Sequence, residues 1–136
     1  MIATRTLMTL SALVMGVLGV AATFLPHEIL ASAGVPALAP AVLAVQVGGA
    51  LYLGFAMLDW MARANLIGGI YSRPVAVANL CHFTIAALAM LKAVMAGERS
   101  VALVAAVIVY TLLAVAFALV VLRHPLASGP APGKTS

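Results

Sequence analysis

Apolar side chains fill four long runs of the chain, and polar ones collect at the breaks between them. The runs are about Leu7–Leu25, Ala41–Ala62, Pro74–Ala96 and Val101–Leu122. A helix crosses the hydrocarbon core of a bilayer with about 20 mostly apolar residues, and each run has that length. None alternates with a period of two, as the 9–11-residue strands of a membrane barrel would. The pattern therefore predicts an all-α fold, an integral membrane four-helix bundle. It forms one domain over residues 1–126, followed by a disordered tail at 127–136.

The breaks carry their own instructions. Pro26 ends the first run, and "PHEILASAGVPALAP" leads to the second. Proline suits the first turn of a helix and an acid is favourable near its N-terminus, so Pro26 and Glu28 predict one short interfacial turn through Leu30. The second break, Arg63 to Arg73, holds Gly68 and Gly69, which permit a tight reversal. Pro74 then fits the first turn of the third helix. "GERS" makes the third break so short that the last two helices must be antiparallel neighbours. After Leu126 the chain is rich in Pro, Gly and Ser, a composition that does not bury a core.

Composition narrows the class. The 136 residues are 65% hydrophobic and 7% charged, against about 25% charged in soluble domains. The net charge of +4 comes from seven basic residues with no run among them. A nucleic-acid partner needs a clustered basic face, and it is excluded here. Membrane lipids are the expected surroundings instead. Arg5, Arg63, Arg73, Arg123 and Lys134 fall on one side of the four spans, Lys92 and Arg99 on the other. Positive residues stay inside, so both termini are expected in the cytoplasm, with Trp60 and Tyr71 at that interface. Arg5, the first run and "ASA" before Gly34 also resemble a secretory signal. A signal core is 7–15 residues and this run is 19, so a spanning helix is the better reading. The single cysteine, Cys81, excludes an internal disulfide and a CxxC redox pair.

Polar residues inside the spans are the candidates for chemistry, because an ionisable group at the bilayer centre costs about 2.5–3.5 kcal/mol on insertion scales. At 1.5 Å per residue, Asp59 lies about 5 Å inside the cytoplasmic end of the second span, Asn79 about 7–8 Å and His82 about 12 Å inside that of the third. Asn79 and His82 share one helix face; Tyr52, Asp59 and Arg63 share another. The functional reading is a cytoplasm-facing binding pocket made by His82, Asp59, Asn79, Tyr52 and Arg63, with His82 as proton carrier or ligand. The structural reading pairs Asp59 with Arg63, an acid-first i, i+4 couple, and uses Asn79 and His82 as interhelical glue.

Other chemistries find less support. His27 and His124 lie far from His82 in sequence, and one His with one Asp is too few ligands for a closed zinc site. No metal and no cofactor are expected; a single axial haem ligand, or a site shared in a homodimer, is the variant that one histidine leaves open. No G-x-S-x-G is present, and Cys81 and His82 point about 100° apart on a helix, so no catalytic set is assigned. Gly68-Gly69 has no phosphate-loop surroundings. Gln46 and Lys92 form a smaller set near the outer surface, with Lys92 expected to snorkel. Ala12-x-x-x-Gly16 and Ala50-x-x-x-Gly54, with Gly48-Gly49, predict close packing of the first two spans.

"GGALYLGFAMLDW", "NLIGGIYSRP" and "NLCHF" resemble segments of small bacterial membrane proteins of unassigned function, and the general layout is similar to DoxX-like four-helix proteins. That resemblance implies a four-helix bundle in a bacterial inner membrane and carries over no activity. The expected function is non-enzymatic: an accessory subunit of a larger membrane complex, or a small transporter working as a homo-oligomer. The alternative is a membrane oxidoreductase component or lipid-active enzyme using His82.

Overall fold

The computed structural model describes residues 2–64 and 72–123. They form five helices: α1 (Ile2–Phe24), α2 (Pro26–Ser32), α3 (Ala39–Ala62), α4 (Ser72–Met95) and α5 (Val101–Arg123). No strand occurs among the described residues. The all-α expectation holds, and α1, α3, α4 and α5 are each long and apolar enough to cross a membrane. The chain is thus a multi-pass helical membrane protein. The expected tail, the Gly68-Gly69 reversal, Tyr71, His124 and Lys134 lie outside the described residues.

The chain divides into two compact units, Met1–Asn65 and Leu66–Ser136. In the first, α1 packs antiparallel on α3. Met8, Ala12 and Met15 of α1 and Ala56 and Ala62 of α3 are buried. Without water to drive helices together in lipid, such a pair depends on close van der Waals fit. The closest approach is at two glycines. A Cβ on Gly19 would stand 2.9 Å from the Leu53 backbone nitrogen and 3.0 Å from the Gly49 carbonyl oxygen. One on Gly49 would stand 2.7 Å from the Thr23 nitrogen and 2.9 Å from the Gly19 carbonyl oxygen. Each glycine thus turns a Cα hydrogen toward the other's carbonyl, the weak Cα–H···O arrangement that recurs at tight crossings.

This crossing corrects part of the expected motif. Gly16 does face α3, against Ala56. Gly48 and Gly54, however, have nothing near their missing Cβ, and Ala50 is exposed. The packing face runs through Gly49, Leu53 and Ala56 instead. Ala50 and Gly54 have the four-residue spacing of small residues, whereas the small residues of the packing face, Gly49 and Ala56, stand seven apart with Leu53 between them; α3 is apolar all round, so spacing pointed to the wrong stripe.

The short helix α2 extends two residues beyond the expected turn. Gly34, at φ +67°, ends it: the Val35 amide donates to the Leu30 carbonyl and the Gly34 amide to the Ala31 carbonyl. This paired closure satisfies the last carbonyls of a helix, and only glycine takes the left-handed position without strain. Gly97, at φ +112°, ends α4 in the same way, with Glu98 donating to Ala93 and Gly97 to Val94. Ser100 then caps α5, its hydroxyl accepting from the Leu103 amide at 3.2 Å. The "GERS" break is thus a stop followed at once by a start, and it holds α4 and α5 as antiparallel neighbours.

The second unit is built on aromatic packing. Phe83 and Phe117 are fully buried and stack with centroids 5.8 Å apart. Tyr110 meets the Phe83 ring edge-on at 5.2 Å. Ala76, Ala87 and Leu113 complete this buried face. Edge-to-face rings contribute about 0.5–1.5 kcal/mol beyond their buried area.

Candidate functional site

The Asp59 side chain is fully buried on α3, three residues before the helix ends at Ala62. The antiparallel register of α1 on α3 places Ser11 beside it. Ser11 is equally buried, and its hydroxyl donates to Asp59 Oδ2. A buried carboxyl oxygen left without a partner is costly, and this bond satisfies one of the two. The α1–α3 pair therefore presents a carboxylate inside a span and supplies a donor for it from the facing helix.

Arg63 lies one turn beyond Asp59, but its guanidinium turns to Trp60, 3.1 Å from the ring centroid. The expected local ion pair gives way to a cation–π contact. Trp60 is 44% exposed, and the pair sits at the end of its span, where an amphipathic ring and a snorkelling cation are both at home. Tyr52, two turns before Asp59, is half-buried.

Asn79 and His82 belong to the second unit. Asn79 is fully buried, and its Nδ2 donates to the Val75 carbonyl at 3.0 Å, one turn back along α4. His82 is half-buried on the same helix. Its ring meets Phe83 edge-on at 5.2 Å and lies 5.9 Å from Tyr110. The five expected binding residues therefore divide: Tyr52, Asp59 and Arg63 in one unit, Asn79 and His82 in the other. Among the described residues no three His, Cys, Asp or Glu side chains stand close enough to hold a metal ion. Cys81 is exposed beside His82.

Gln46 belongs to the first unit and Lys92 to the second. Gln46 Nε2 reaches the Thr23 carbonyl of α1 at 3.5 Å, a long contact. Lys92 is exposed in the last turn of α4, where a cation complements the helix dipole.

Ser11 is the residue that the sequence reading missed. The signal was depth. In the expected spans Ser11 lies four residues inside Leu7 and Asp59 three residues inside Ala62, so antiparallel neighbours would bring them level. No protein-family model, no curated protein and no solved structure matches the chain.

Proposed function

We propose that the chain is a non-enzymatic protein of the bacterial inner membrane, with both termini in the cytoplasm, that works as an accessory subunit or as a small transporter within an oligomer. The observation that carries this reading is Asp59, fully buried inside a span and held by Ser11. An intramembrane carboxylate is costly to retain, and its ordinary uses are to carry a proton or cation, or to hold a helix interface together. Neither use needs the nucleophile, base and oxyanion donors of an enzyme. Four short helices scarcely enclose a solute path by themselves, so transport requires association. The cytoplasmic placement follows from the five-against-two distribution of Lys and Arg. Asp59 with Ser11, and Asn79 with His82, then form polar groups toward the cytoplasmic ends of their own helix pairs.

Native mass spectrometry after extraction in mild detergent tests the reading. An oligomer or a stoichiometric complex is expected. A solitary monomer carrying a coloured prosthetic group that His82→Ala removes would overturn it in favour of a redox enzyme.

A further inference from the structure

Two arginines mark one end of the first unit. Arg5 is the second residue of the Thr4–Phe24 span, and Arg63 is the first residue after the Ala39–Ala62 span. The bond from Ser11 to Asp59 fixes the register between their helices. Arg5 stands six residues before Ser11 and Arg63 four residues after Asp59. At 1.5 Å per residue these are steps of about 9 Å and about 6 Å toward the same end of the antiparallel pair. Both side chains therefore leave their helices within about 3 Å of one depth, at the edge of the hydrocarbon.

Neither charge is neutralised within the unit. Arg5 is exposed, and among the described residues no carboxylate pairs with it or with Arg63. Asp59 is held by Ser11, and the Arg63 guanidinium lies on the Trp60 ring at 3.1 Å from its centroid. An indole face attracts the cation but accepts none of the five N–H donors in its plane. Those donors call for oxygens that carry negative charge, and at this depth a membrane supplies them as lipid phosphate. Met57, one turn deeper than Trp60 on the same side of α3, is 60% exposed. It continues the arginines into an apolar surface that an acyl chain can follow and that a phosphate ion from water would not use.

We propose that this end of the α1–α3 pair binds the head group of an anionic phospholipid. Arg63, held in place by Trp60, meets the phosphate from α3, and Arg5 reaches it from α1. A zwitterionic lipid carries its own ammonium beside the phosphate; an anionic one leaves that charge to the arginines, so the site discriminates between the two. The inference needs only the membrane-spanning pair, and it holds for either orientation of the chain and for any oligomeric state.

Quenching of Trp60, the only tryptophan in the chain, by lipids with brominated acyl chains tests the site in vesicles. Brominated dioleoyl phosphatidylglycerol and brominated dioleoyl phosphatidylcholine are compared, each diluted into unbrominated dioleoyl phosphatidylcholine. The anionic lipid should be preferred about 25-fold, at about fivefold for each arginine, the fold-change equal to about 1 kcal/mol per basic residue at an anionic surface. Arg63→Gln and Arg5→Gln should each reduce the preference about fivefold on the same scale. The preference is a ratio within one variant, so a direct effect of Arg63→Gln on Trp60 emission cancels, and Arg5 is exposed and can be replaced without disturbing the packed face. Arg99→Gln, in the turn between α4 and α5, should leave the preference intact, as should inorganic phosphate added in place of chloride at equal ionic strength. Equal quenching by the two lipids, or a preference unmoved by both Arg5→Gln and Arg63→Gln, would overturn the site. So would a preference that falls as far in Arg99→Gln, which would trace it to overall charge, or one that inorganic phosphate removes, which would assign the arginines to a soluble anion.

Discussion

At the scale of single residues, Asp59 is where polarity and depth conflict most, and Ser11 eases the conflict. Ser11→Ala removes a donor from a buried carboxylate, and losing one partner of such a bond costs about 1–3 kcal/mol. The expected outcome is a lower thermal midpoint in detergent. Asp59→Asn keeps an acceptor for the Ser11 hydroxyl, so its midpoint should move less than that of Asp59→Leu. If Asp59 carries a proton or cation, Asp59→Asn should nevertheless lose function. Arg63→Ala should cost less, about 0.5–1 kcal/mol for a partly exposed cation–π pair, and should change the fluorescence of Trp60, the only tryptophan in the chain. The sequence exposed Asp59 as a candidate because a lone carboxylate in an apolar run has few alternative explanations. It did not expose Arg63's partner. Trp60 and Asp59 are both within reach of Arg63 on one helix, and only the side-chain directions distinguish them.

At the scale of elements, the four spans were legible because length and apolarity are one-dimensional properties. Their expected limits fall within about five residues of the helices observed at every end. The faces were not legible. A soluble helix marks its buried side by a stripe of apolar residues; α3 and α5 are apolar on every side, so the stripe disappears. Packing instead follows whichever small residues permit backbone contact. Gly19→Ala and Gly49→Ala should each destabilise the α1–α3 pair by about 1–3 kcal/mol, since the new methyl meets backbone that cannot yield. Gly54→Ala should be neutral or stabilising by up to about 1 kcal/mol, because its site is open and alanine favours helix. Denaturation in mixed micelles separates these outcomes. Equal losses at Gly49 and Gly54 would contradict the crossing described.

At the scale of the whole molecule, charge rather than packing sets the orientation. A reporter active only in the cytoplasm, fused after Ser136, should be active; the same reporter placed after Gly34 should be silent. Activity in the reverse pattern would place the termini outside. Moving positive charge should move the protein with it: neutralising both Arg63 and Arg73 reduces the bias from five against two to three against two, and a mixed topology is the expected result.

The bond between Ser11 and Asp59 also bears on how the chain is made. Its partners are 48 residues apart, a gap that synthesis crosses in about 2–10 seconds at ordinary rates of 5–20 residues per second. Ser11 leaves the ribosome first and has time to reach the bilayer within α1. Asp59 arrives later, near the trailing end of α3, and finds its donor already in place. Reversing that order, as a circular permutant beginning at α3 would do, brings the Asp59 carboxyl into the bilayer before the Ser11 hydroxyl, and membrane insertion of α3 should fall even though every native contact remains available.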